Sequence, residues 1–312
     1  MGDLKSALEI QKLVVRSNSA RVTAIRNVTQ ISLARKIPGV DGKISLTFSE
    51  RFELCEYIKV NFYQWKHQKF RLVNISASDG CVKLIKVPTI SDRVWQDLVK
   101  IILDPAHEAL FHPRNLGFRT GIHIYETQRI LFLNLHRSSN PNQKRILKIN
   151  LYPYSKEIDY KILLKSLIIP RNVKLSVFSC MNLGLSLCFS DSTTNLVDLS
   201  SIILNVSLHG IESIHPSVRF GYELVVFLKP LDNEMEITRK ILRFFKLFPS
   251  SSSSKYITLV SALSGFDLLG WHFRVFNNRN FTCVPSFGNY QSFLRRVKHI
   301  VNNSNFGAKC DT

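Results

Sequence analysis

The sequence predicts an α+β fold built around an antiparallel core. Hairpin-like pairs of strands come early in the chain, and strand–helix units follow later. No internal repeat is present, which sets solenoids and propellers aside. The hydrophobic fraction is 45% over 312 residues, enough apolar side chain to bury a sizeable core in about two domains.

Taken in order, Leu4 to Thr29 carries helical periodicity. Leu8, Gln11, Val15, Ser19, Val22 and Ile25 share faces, while Lys12, Arg16, Arg21 and Arg26 line the polar side. A turn follows at Pro38-Gly39-Val40-Asp41-Gly42-Lys43. Ser49 to Asn61 reads as a second helix, capped by Ser49 with Glu50 and Glu53 in its first turn. Phe62 to Ile75 and Val82 to Val87 read as two strands around Ser78-Asp79-Gly80. Asp92 opens an amphipathic helix with Val94, Leu98, Ile101 and Ile102 on one side. Ile146 to Leu151 is a short apolar strand, followed by a helix over Ile158 to Ile168. Leu183 to Phe189 is a strand candidate, and the apolar stretch Leu196 to Ser213 reads as a buried helix. Tyr222 to Leu228 is a strand of β-branched and aromatic type. Asn233 to Phe248 is a helix with Ile237, Ile241 and Phe244 inward. After the polar run Ser250 to Ser254, Leu268 to Phe276 is a strand and Tyr290 to Val301 a basic helix.

Charge narrows the function. Lys and Arg number 42 against 23 Asp and Glu, a formal net charge of +19, with a pI near 9.8. A folded chain with that excess favours a polyanionic partner, because Lys and Arg displace condensed counterions from phosphates. No apolar run reaches the ~18 residues of a spanning helix, so no membrane partner is expected. No cleavable signal segment opens the chain. The cysteines at 55, 81, 180, 188, 283 and 310 are far apart, and none joins a histidine at zinc spacing. They read as reduced thiols. No bound metal or cofactor is expected.

Several segments in collinear order resemble group II intron-encoded maturases, relatives of reverse transcriptases. Ser19-Ala20-Arg21 through Gln30, then Pro38-Gly39-Val40-Asp41-Gly42, is similar to the family's N-terminal extension. Val87-Pro88-Thr89-Ile90-Ser91-Asp92-Arg93-Val94-Trp95-Gln96 resembles a fingers motif, and Leu116-Gly117-Phe118-Arg119-Thr120-Gly121 resembles "YGFRPG". Asn205-Val206-Ser207-Leu208-His209-Gly210-Ile211-Glu212 resembles "NIALHGLE", and Gly265-Phe266-Asp267-Leu268-Leu269-Gly270-Trp271 resembles "GFDFLGF". The resemblance runs from about Leu8 to about Val301. It implies reverse-transcriptase-like fingers and an antiparallel palm over 45–276, a helical N-terminal extension over 1–44 and the start of a helical thumb over 277–312.

The departures bear on chemistry. The family's three metal-binding aspartates fall on Asn150, Tyr222 and Glu223, and its "GTPQGG" nucleotide pocket falls on Asp191 to Leu196. Nucleotidyl transfer needs a pair of hard divalent cations held by several carboxylates. One remaining carboxylate does not hold such a pair, so no catalytic residue is expected, nor any metal site. The resemblance then implies an RNA-binding protein that assists excision of group II or group III-type organelle introns, made in a plastid, with the intron RNA supplying the chemistry. Candidate RNA contacts are Lys12, Arg16, Arg21, Arg26, Arg35, Lys36, Lys43, Lys66 and Lys69, with Trp65 nearby, and Arg295, Arg296 and Lys298. The family's thumb continues past the point where this sequence ends. A shortened maturase, one half of a split maturase needing a second protein for the thumb, a residual RNA-directed DNA polymerase and a decaying reading frame all remain open at this stage.

Overall fold

The structure is a computed structural model that describes residues 3–76, 82–136, 145–155, 160–183, 198–245, 256–276 and 280–307. The strand expected over Leu183 to Phe189, the pocket segment Asp191 to Leu196 and the run Ser250 to Ser254 lie outside them, apart from Leu183. The chain divides into two compact units, one of residues 1–75, 83–123 and 152–213, the other of 76–82, 124–151 and 214–312.

The first unit is mostly helical. Helix α1 (Leu4–Arg16) is capped by Asp3, whose carboxylate accepts from the Lys5 and Ser6 amides. It does not run on to Thr29. Ser17 is extended, and α2 (Asn18–Arg26) starts a new direction that ends in one π-turn, Asn27–Ile31. The reason is Arg21. Its guanidinium donates to the carbonyls of Val15 and Arg16, both at 3.0 Å, and to the Asn18 side chain, closing the end of α1. Helix α3 (Phe48–Asn61) is capped two residues earlier than expected, by Thr47 rather than Ser49, with Glu50 completing a reciprocal capping box.

Strands β1 (Arg71–Ser76) and β2 (Val82–Val87) pair as a hairpin. The first is shorter than expected because Phe62–Gln64 forms a 3₁₀ turn and Trp65 is core. Helix α4 (Ile90–Glu108) begins at the Thr89 cap and is the hub of this unit. Its buried Val94, Trp95, Leu98, Val99 and Ile102 cover more than one face, the pattern of a helix enclosed by neighbours. They pack with Ala24 and Ile25 of α2, Ile58 of α3, and Val173 and Val177 of α8 (Arg171–Asn182). Ile202 and Ile203 of α9 (Leu199–Ser207) join them. Short helices α6 (Tyr152–Ser155) and α7 (Tyr160–Ser166) precede α8. The stretch Leu196 to Ser213 is not one helix: α9 closes at Leu208, and Ile211–Ser213 is a 3₁₀ turn.

Polar ties cross this apolar core. Gln11 donates to the carbonyls of Ile102 at 2.9 Å and Ile168 at 2.7 Å. His107 Nε2 accepts from the Ile168 amide at 3.1 Å. Burial, then the positive fields of His209 and Lys174, push His107 down to about 4. Gly39 lies against the start of α4, where a Cβ would meet Thr89 Cα at 2.7 Å, and Arg93 donates to the Ile37 carbonyl at 2.8 Å.

The second unit holds α5 (Ile124–His136), then β3 (Arg145–Asn150), β4 (Ser217–Phe220), β5 (Glu223–Leu228), α10 (Glu234–Phe244) and β6 (Ile257–Ser261). The four strands form one antiparallel sheet in the order β4-β5-β3-β6, with Ile146, Leu147 and Ile149 of β3 buried at its centre. A second antiparallel sheet follows, β7 (Phe266–Leu268), β8 (Trp271–Val275) and β9 (Phe281–Pro285). Helix α11 (Phe287–Gly307) comes next. On α10, Ile237 and Ile241 are buried as expected, but Phe245 takes the inward place expected of Phe244, because it continues the i, i+4, i+8 line.

Candidate nucleic-acid interface

Cations on the N-terminal helices divide into free and committed groups. Lys12 and Arg16 are exposed one turn apart on α1, and Arg26 is exposed at the end of α2. None of the three makes an ion pair among the described residues. Arg21 is the correction: expected on the polar face, it is 1% exposed and spends its donors on the end of α1. Arg35 and Lys36 are exposed in a 3₁₀ turn, with Arg35 also donating to the Gln30 carbonyl. Lys43 is exposed but pairs with Glu50 at 2.7 Å, which raises the ammonium and holds Glu50 down at about 2.

Lys66 and Lys69 are exposed on the irregular segment before β1. Trp65 between them and the helix is not. Its indole donates to Asp92 at 2.8 Å and stacks on Trp95 with ring centroids 6.4 Å apart. Asp92 is buried and also accepts from the Thr89 hydroxyl at 2.8 Å and the Gln68 amide at 3.2 Å, with His67 Nδ1 at 3.2 Å. Burial alone would raise this carboxyl, but the hydrogen bonds of His67, Trp65 and Thr89 outweigh it and hold it low. Asp92 therefore ties the lysine-bearing segment to the start of α4.

Arg295, Arg296 and Lys298 are exposed on α11, in the second unit. No acidic side chain occurs on that helix.

The three positions that the resemblance matches to the family's aspartates come together at one strand end. Asn150 and Glu223 are register partners on β3 and β5, with Asn150 Nδ2 at 3.4 Å from Glu223 Oε1. Tyr222 sits in the two-residue turn between β4 and β5, where Gly221 takes the left-handed conformation the tight hairpin needs, and its carbonyl accepts from the Leu151 amide at 2.8 Å. Lys148 was not singled out in the sequence. It shares a face of β3 with Asn150 by the two-residue strand period, the signal that would have found it. Its Nζ lies 3.8 Å from Glu223 Oε2 and donates to the Asp267 carbonyl at 2.9 Å. Burial pushes the Glu223 carboxyl up, partly offset by Lys148. One carboxylate, one amide and one ammonium do not fit a pair of divalent cations, since the ammonium already supplies the positive charge. Among the described residues no three His, Cys, Asp or Glu side chains cluster at metal-binding distance.

Cys55 and Cys180 are buried thiols and Cys283 is partly buried, with burial pushing Cys180 up to about 12. No helix among the described residues is long and apolar enough to cross a membrane.

Residues 1–58 match the N-terminal domain of reverse transcriptase. Maturase-like protein 1 of Euglena gracilis is 44% identical over 308 residues, covering 98% of this chain and 67% of that protein. Maturase-like protein 1 of Euglena longa is 43% identical over 309 residues, covering 98% and 68%. YkfC of Escherichia coli is 22% identical over 164 residues, 51% of this chain and 43% of its own length. With a reverse-transcriptase N-terminal domain and that identity along nearly its whole length, the chain belongs to the group II intron maturase-like proteins.

Proposed function

We propose that this protein binds structured intron RNA and assists splicing of organelle introns, in a plastid, without polymerase activity. The observation that carries the reading is the exposed set Lys12, Arg16 and Arg26 on the reverse-transcriptase N-terminal domain, without an ion pair among the described residues. Cations without an internal partner keep their charge available to phosphates. In the fingers–palm arrangement the family resemblance implies, β3 and β5 are palm strands. The Lys148–Glu223 pair then stands where a metal pair would be held, which favours an RNA-binding role over a residual polymerase.

The test is binding of a structured intron RNA across a salt series. With about six phosphates neutralised, log affinity falls against log salt with a slope of about −4 to −5. The triple variant Lys12→Gln, Arg16→Gln, Arg26→Gln flattens that slope by about two to three units. Lys240→Gln with Arg243→Gln on α10 changes it less, because Lys240 is held by Glu236 at 2.8 Å. Equal flattening by both sets defeats the reading. In the same preparations, primer extension on an RNA template with Mg²⁺ or Mn²⁺ stays at the buffer level.

A second reading, that a further polypeptide completes the molecule, is favoured by α11. Phe287, Tyr290, Phe293, Val297 and Ile300 form an exposed apolar arc, beside a face carrying Arg295 and Lys298. A second copy would set like charges against each other, so the occupant that fits is an amphipathic helix with acidic borders. A basic co-purifying partner, or none, argues against it.

A further inference from the structure

A groove of about 170 Å³ opens between α2 and α3 in the first unit. Ile25 and Cys55, both buried, form its floor. Phe48 and Phe52 stand one turn apart on α3 and wall it, 75% and 57% exposed, with ring centroids 4.9 Å apart at 71°. Two adjacent phenylalanines left in water at the start of a helix mark a contact surface rather than core.

Size and charge select the occupant. The volume is below the roughly 300 Å³ at which drug-sized ligands begin, and suits one planar ring. Arg26 and Arg51 also line the groove, and no carboxylate among the described residues does. Arg51 Nε is buried and has no hydrogen-bond partner among the described residues. An aromatic side chain of another protein would fill the apolar part but leave both guanidiniums unanswered. A nucleotide satisfies both parts, since every base offers a π-face and carries a phosphate on either side.

We propose that this groove captures a single unpaired nucleobase of the bound RNA, stacked against Phe48 and Phe52, with its flanking phosphates on Arg26 and Arg51. The proposal rests on the RNA-binding reading above and adds a preference for bulged or looped RNA over continuous duplex, independent of base identity.

The experiment uses the full chain and two loop-free RNA duplexes, one with a single 2-aminopurine bulge and one fully paired. With the wild type, 2-aminopurine emission is quenched on binding. Phe48→Leu with Phe52→Leu keeps apolar volume but removes both rings. It abolishes the quenching and weakens binding of the bulged RNA by about 5- to 150-fold, the range for loss of one stacked base. Binding of the paired RNA and the salt slope stay as in the wild type. The exposure of both rings lets the fold survive, which a thermal melt of the variant checks. Undiminished affinity and quenching in the leucine variant overturn the groove proposal while leaving RNA binding intact. Loss of a co-purifying protein, with RNA affinity unchanged, overturns it in favour of protein docking. Failure of the wild type to bind either RNA defeats the functional reading, and the groove proposal with it.

Discussion

On α1 and α2 the cations Lys12, Arg16 and Arg26 point to solvent and make no ion pair among the described residues, whereas at the β3–β5 strand end Lys148 is matched by Glu223 and tied to the Asp267 carbonyl. Both regions carry positive side chains on regular secondary structure. The first leaves its charge open to a polyanion, and the second consumes it internally. A net charge of +19 is therefore a poor guide to where a polyanion sits. What matters is which cations are already satisfied, as Arg21 shows within the helical region itself.

The sharpest way to break this contrast is to attack what holds the helical region in shape. Asp92→Ala strips the acceptor from the Trp65 indole and the Gln68 amide, leaving buried donors unpaired, and is expected to cost about 3–5 kcal/mol in denaturant unfolding. If it costs no more than a surface change, the lysine-bearing segment is not fixed by that carboxylate.

Next comes Arg21→Gln, expected to cost about 2–4 kcal/mol because the carbonyls at the end of α1 lose their donors. Arg16→Gln and Arg26→Gln each stay within about 0.5 kcal/mol and act on RNA affinity instead. A reversal of the two outcomes would return Arg21 to the interface.

Acid sharpens the comparison further. His107 is held at about 4 in the fold and titrates near its ordinary value when unfolded. Below that ordinary value the unfolded chain binds the proton first. The stability from neutral His107 is thus complete above about pH 6.5 and is lost as pH falls towards 4, by about 2 kcal/mol at pH 5. His107→Gln can still accept from the Ile168 amide, and its stability should change less over that window. Parallel pH profiles for the two proteins would contradict the assignment.

The smallest effect belongs to the strand end. Glu223→Gln removes a carboxylate that burial already disfavours, at the expense of a partly exposed pair with Lys148. Stability at pH 7.5 is expected to move by less than about 1 kcal/mol. A much larger loss would mean that the pair organises the sheet.

The elements with a strong period were legible in the sequence: β3, α10 and the body of α4 fall within a few residues of expectation, while α11 begins three residues before and ends six residues after the expected Tyr290 to Val301. Helices α5 and α8 and strands β4, β6 and β9 were missed. Strands β4 and β6 are short, and their identity comes from pairing rather than local pattern. At the candidate site, the adjacency of Asn150 and Glu223 followed from motif order, and their pairing bears it out. Arg21 did not follow, because nothing in a helical period distinguishes a cation facing water from one folded back on its own chain. The Phe48–Phe52 wall was hidden for a related reason: an i, i+4 aromatic pair ordinarily signals core.

One close approach has a thermodynamic consequence. Gly39 lies too near the backbone of Thr89 to admit a side chain, and Arg93 clasps the Ile37 carbonyl from the other direction. The loop that links the N-terminal helices to α3 is thus latched before any partner arrives. A surface ordered in advance gives up little conformational freedom on association, so its affinity is not spent on folding. Calorimetry of RNA binding should then report only a modest negative heat-capacity change, from the apolar surface covered at the contact, in contrast to the large negative value of a segment that orders only on contact.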